Sequence, residues 1–194
     1  MKFLKGKKYM KKILLISSTF LITLMLSSSF QDPSFYSVSE GSVHFVSEAP
    51  LELIEAESKE LNGILSGENQ SFAFSVPIIS FVGFNSPLQR EHFNENYMET
   101  DSYDKATFTG TIIEDLDLLT PGIIVARAKG KFKIHGVEHV QLLNVLLKVS
   151  KEKIEVETEF DVLLEDYKIS IPRIVNKKIA KTIHVTVNAT LKKK

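Results

Sequence analysis

The residues best suited to chemistry lie together at His135-Gly136-Val137-Glu138-His139, which spells H-x-x-E-H. On a helix that spacing puts two imidazoles one turn apart on one face, where they bind zinc while the glutamate serves as general base. Here an alternating segment leads straight into the run, and Gly136 is a poor helix interior residue. A zinc-hydrolase helix is therefore a poor reading of this run. His44, His92 and His184 are each isolated in sequence and read as structural histidines. Carboxylates pair at Glu114-Asp115-Leu116-Asp117 and Glu165-Asp166. Glycosidases need two such groups across a cleft, whereas these fall in loop-like, solvent-facing stretches. There is no cysteine, which excludes disulfides, thiolate metal sites and thiol nucleophiles. No serine sits in a nucleophile elbow, and no glycine-rich loop is suited to phosphate. The sequence therefore gives no reason to expect an enzyme, a metal or a cofactor.

Chain-wide charge is balanced, 24 basic against 24 acidic residues, but unevenly placed. The first 31 residues hold six Lys and no acid, which leaves the remainder at a net charge of −6. Such an acidic body argues against nucleic acid or an anionic membrane surface as partner. The basic start is followed by Ile13-Leu14-Leu15-Ile16 and Phe20-Leu21-Ile22-Thr23-Leu24-Met25-Leu26, then Ser27-Ser28-Ser29. A basic, apolar, small-residue order is that of a secretory signal peptide. Its apolar stretch, about 14 residues, is short of the roughly 20 that a spanning helix needs. Residues 1–31 are thus expected to be a cleaved signal and residues 32–194 one domain. Met10 makes a more typical start than Met1. With no cysteine to carry a lipid anchor, the product is expected to be periplasmic or secreted.

From Phe35 onward the dominant hydropathy period is two. Ile154-Glu155-Val156-Glu157-Thr158-Glu159-Phe160-Asp161-Val162 is the clearest case, with an acid at every second position. Residues 71–78 and 183–192 alternate likewise, and further strands are expected over 42–47, 51–58, 107–113, 123–134 and 140–149. Turn residues separate them at Ser66-Gly67-Glu68-Asn69, Thr120-Pro121-Gly122 and Ser150-Lys151-Glu152-Lys153. One segment differs: Ser86-Pro87-Leu88-Gln89-Arg90-Glu91 supplies an N-cap and a proline at the first helical position. A single short helix is expected over 87–97. About eight strands with one apolar face each must close into a barrel or stack as a sandwich. Periodicity does not choose between these.

Three stretches resemble a known family. Arg90-Glu91-His92-Phe93 followed by Tyr103-Asp104-Lys105-Ala106-Thr107-Phe108 is similar to the Arg-acid-x-His helix and Tyr-Pro-x-x-Thr-Phe strand entry of the YceI-like family. Gly130-Lys131-Phe132-Lys133-Ile134-His135-Gly136-Val137 is similar to its Gly-x-Leu-Thr-Leu-Arg/His-Gly-Val hairpin, and Ser42-Val43-His44-Phe45 to its opening strand. Asp104 stands where the family usually has Pro, Gly41 where it often has His, and Val137-Glu138-His139 where Val-Thr-Lys/Arg is usual. The resemblance implies an all-β fold with one short helix, an eight-stranded antiparallel lipocalin-like barrel. It also implies a long cavity that takes a polyisoprenoid in several members.

Candidate contact residues follow from inward strand parity: Phe45, Phe72, Phe74, Val76, Phe108, Phe132, Val145, Phe160 and Val187, with Arg90 and His92 at the mouth. The expected partner is a long-chain apolar lipid, isoprenoid-like or quinone-like, exchanged on transient membrane contact. A homodimer through an edge or end is compatible with the sequence. The alternative is a barrel filled by its own side chains that acts as a protein-interaction module. The 13 Phe serve both readings, because a core and a lipid-lined cavity use the same side chains.

Overall fold

The computed structural model describes residues 35–194. The expected signal segment lies outside them. The strands are β1 (Phe35–Glu48), β2 (Leu53–Ser58), β3 (Asn62–Ser66), β4 (Ser71–Pro77), β5 (Lys105–Ile112), β6 (Gly122–Ile134), β7 (Val137–Val149), β8 (Lys153–Leu163) and β9 (Thr182–Lys193). β1 pairs with both β2 and β3, each antiparallel neighbour from β3 onward follows in chain order, and β1 pairs with β9 to close the sheet.

The nine strands form a barrel of eight. The registers Val43↔Ser58 and Phe35↔Ser66 are continuous with one another, so β2 and β3 are two halves of a single strand alongside β1. The interruption falls at residues 59–61, where the buried Leu61 turns in against Gly41. A bulge between Val38 and Glu40 bends β1 at the same level. Glycine faces glycine at the cross-strand pair Gly110↔Gly130. A Cβ on either glycine would collide with the opposing backbone, so the strands approach there as only glycine allows.

One end of the barrel carries the turns at residues 67–70, 113–121 and 150–152, and the buried Leu118 turns inward there. The other end carries the long connections. Helix α1 (Pro87–His92) is capped by the Ser86 hydroxyl, which accepts from Gln89 N–H at 3.2 Å, and runs on into a π-helical turn over Phe93–Tyr97. The helix expected over 87–97 is thus present, with its second half wound more widely.

His135 and Gly136 form the tight β6–β7 turn, both at positive φ (51° and 73°). Strands β7 and β8 pair only where Leu146–Val149 meets Ile154–Glu157; beyond that they diverge. The turn Leu164–Tyr167 packs beside this wedge. Tyr167 is 2% exposed and sits edge-on to Phe132 and His139. Its hydroxyl accepts from Gln141 at 3.1 Å. His135 Nδ1 donates to the Tyr167 carbonyl and His139 Nε2 to the Asp166 carbonyl, each at 3.0 Å. The H-x-x-E-H run is therefore a hairpin whose histidines clamp the 164–167 turn, in agreement with the hairpin reading.

Candidate functional site: an apolar cavity inside the barrel

Alternation sends one side chain in two toward the barrel axis. In a filled barrel these inward residues are buried on all sides. Here Phe45, Phe74, Phe108, Val156, Phe160 and Val187 point inward yet stay only partly buried. The surface they retain faces a cavity of about 440 Å³. That is within the range of about 300–1,000 Å³ typical of ligand pockets.

The cavity runs from Leu65, Ile112 and Ala189 at the far end to Ser86, Leu88, Gln89 and His92 at the helix end. Aromatic rings pack in two groups along it. Phe72 meets Phe108 at 4.9 Å and Phe74 at 5.9 Å between centroids. Nearer the helix, Phe93 stacks on Phe45 at 5.5 Å and meets Phe84 at 5.0 Å. These are tilted and stacked arrangements, with centroid distances in the range of roughly 4.5–7 Å that aromatic pairs favour.

Among the described residues, the ionisable groups that line the cavity are Glu52, His92, Tyr97 and Lys178. Glu52 accepts from Gln89 Nε2 at 3.0 Å and lies 3.8 Å from Lys178 Nζ. These three residues come from separate segments and make a polar, charge-balanced rim. Asn85 Nδ2, donating to the Leu53 carbonyl at 2.9 Å, ties the start of the helix to β2. Burial pushes the Tyr97 hydroxyl above its ordinary pKa, so it stays neutral and can only exchange hydrogen bonds. The remaining polar lining is uncharged, from Ser47, Ser75, Ser86, Thr107 and Thr158. No group of three or more His, Asp or Glu among the described residues is placed to hold a metal. The arrangement can sequester an apolar chain, with neutral hydrogen-bonding groups and a rim ion pair for a polar end.

The YceI-like domain model matches residues 36–191. This chain belongs to the YceI-like family. The barrel is similar to a solved polyisoprenoid-binding domain from Saccharophagus degradans, with a TM-score of 0.70 at 19% identity over 81% of this chain and 97% of that one. It is also similar to Burkholderia cenocepacia BcnA, at TM-score 0.65 and 13% identity over 77% and 95% of the two chains. Campylobacter jejuni YceI protein superposes at 0.53 with 16% identity over 81% and 83%. At these identities the likeness is one of fold. Among curated proteins the chain has no match. At the Asp104 departure, the residue offers its carbonyl to Ile78 N–H at 2.9 Å, a bond that proline would make equally.

Phe45, Phe72, Phe74, Val76, Phe108, Phe132, Val145, Phe160 and Val187 all line the cavity, as does His92 at the mouth. Arg90 does not. Its guanidinium donates to the Ile79 carbonyl at 2.9 Å and borders an outer groove with Glu91, Glu95 and Asp101. On a helix Arg90 is two residues from both Leu88 and His92, so it points away from the face those two share. Glu52 at the rim falls in the turn just before β2, although the strand was expected from residue 51; Lys178, Phe84, Leu164 and Ile179 lie in aperiodic connections where no pattern singled them out.

Proposed function

We propose that this chain is an exported envelope protein, periplasmic or secreted, that holds a long apolar lipid of the isoprenoid or quinone-like class inside its barrel. It acts by binding, not by catalysis. The observation that carries this reading is the set of inward phenylalanines and valines whose free surface faces the cavity. The fold likeness to a polyisoprenoid-binding domain supports it.

Burial from water stabilises a bound chain by about 25 cal/mol per Å², tens of kcal/mol for a long isoprenoid. The lipid comes from a bilayer, however, which is equally apolar, so most of that gain cancels. Net affinity then rests on ring contacts and on the rim. Retention should be tight in aqueous buffer, with exchange on transient contact with a membrane.

The test is native mass spectrometry of residues 32–194 recovered after export, followed by solvent extraction. A bound mass of several hundred daltons that moves into organic solvent is expected, and it identifies the lipid class. An apo mass, unchanged after incubation with quinones and polyprenols, would sink the reading in favour of a ligand-free interaction module.

A further inference from the structure

The outer face of the barrel is segregated by charge in a way that the net charge conceals. Along β6, alternation turns Ile123, Val125, Arg127, Lys129, Lys131 and Lys133 outward. Over this span the stripe is about 33 Å long, at roughly 3.3 Å per residue. The β6–β7 register sets Leu142 beside Lys129 and Val140 beside Lys131. Ile123, Val125, Val140 and Leu142 are each more than half exposed. The outer face of β8, by contrast, presents Glu155, Glu157, Glu159 and Asp161.

Part of the positive charge is neutralised. Glu114 pairs with Arg127 at 2.7 Å, Glu138 with Lys131 at 2.9 Å, and Glu157 with Lys148. Lys129 and Lys133 have no carboxylate partner among the described residues. An otherwise acidic body thus keeps unpaired lysines interleaved with exposed aliphatic side chains on one strand pair.

We propose that the outer face of β6 and β7 docks on an anionic bilayer, with Val125, Val140 and Leu142 entering the headgroup layer and Lys129 and Lys133 meeting lipid phosphates. Lysine stems lie along apolar surface while their ammonium groups reach for charge, and anionic lipids attract such groups. A bilayer satisfies both halves of the stripe. A second copy could offer the acidic β8 face, but Leu163 is the one large apolar residue exposed there. That contact would press the aliphatic stripe against carboxylates. The inference rests on the lipid-carrier reading for its purpose, and it supplies a surface on which the barrel meets the membrane.

The experiment is flotation of residues 32–194, which hold every strand and the whole described core, with vesicles of equimolar phosphatidylglycerol and phosphatidylcholine or of phosphatidylcholine alone. Binding is expected on the anionic vesicles, weak on the neutral ones, and reduced by salt. Each lysine removed should weaken it about fivefold, so K129E/K133E should lose at least ~25-fold. V125Q/L142Q should also weaken binding, and thermal unfolding should confirm that both variants fold. Failure of the wild type to float, or flotation of both variants at the wild-type level, would overturn the docking face. A concentration-dependent dimer that K129E/K133E abolishes, without vesicle binding, would instead assign the face to a second copy. Native mass spectrometry on the same sample separates the two readings. Bound lipid without flotation removes only the docking face, and flotation of an empty barrel removes only the carrier.

Discussion

Val187→Phe distinguishes a hollow barrel from a filled one. Val187 points inward from β9, opposite Val43 on one side and Thr158 on the other, and part of its surface faces the cavity. In a close-packed core, enlarging a side chain forces its neighbours apart at a cost of about 1–3 kcal/mol. In the cavity, the added ring carbons displace water or void instead. At roughly 0.8 kcal/mol per buried CH₂, a ring that fits would contribute about 2–3 kcal/mol, offset in part by lost rotamer freedom. The expected outcome is a stability equal to or above that of the wild type, with lipid retention reduced because the ring takes the lipid's place. The assay is thermal unfolding of both proteins after delipidation, since bound lipid would itself raise the wild-type transition. For a domain of this size 1 kcal/mol shifts Tm by about 2–4 °C. A fall of more than about 3 °C in the delipidated variant, or undiminished bound lipid, would refute the account of the cavity.

Gly130→Ala should destabilise the barrel by at least about 2 kcal/mol, because its Cβ would meet Thr109 backbone and the Phe108 ring; chemical denaturation measures it. Tyr167 is held above its ordinary pKa, chiefly by burial. A raised folded pKa means stability that is whole below about pH 10, the unfolded value, and is lost as pH rises through the folded pKa. Thermal melts between pH 8 and 11 should therefore fall for the wild type and fall less for Tyr167→Phe. His139→Ala should cost about 1 kcal/mol through its lost bond to the Asp166 carbonyl, with the far-UV circular dichroism spectrum unchanged.

Strand alternation made most of the ladder legible, because a half-buried strand must alternate. It failed at β3, where Lys59-Glu60-Leu61 reads as a connection. The structure carries one register through that interruption, with Leu61 turned inward in place of an outward polar residue. The cavity walls were legible for the same reason as the strands, since parity fixes which side chains face the axis. Whether they enclose space was not, because Phe72 in a core and Phe72 beside a void are the same residue. The rim was hidden for another reason: Glu52, Gln89 and Lys178 meet only through tertiary folding of three connections. The net charge was the least informative, since a total cannot show that alternation deals acids outward on β8 and lysines outward on β6.

A hollow barrel gives up contacts that a filled one would make, since side chains bordering a void lack partners on that side. Two features of this chain offset that loss without closing the cavity. The backbone ladder closes around the barrel with gaps at residues 59–61 and at the β7–β8 wedge, and at the wedge the Tyr167 ring and the His135, His139 and Gln141 hydrogen bonds pack beside the separated strands. Ring pairs along the wall, such as Phe72 with Phe108 and Phe45 with Phe93, retain contacts that aliphatic residues would forfeit. Such a barrel can stand empty, yet any ligand that fills the void stabilises it further by mass action. Binding energy and folding energy are then drawn from the same inward side chains. Substitutions that enlarge those side chains should trade one against the other, whereas substitutions on the outer face of β6 should leave both untouched and alter only flotation with anionic vesicles.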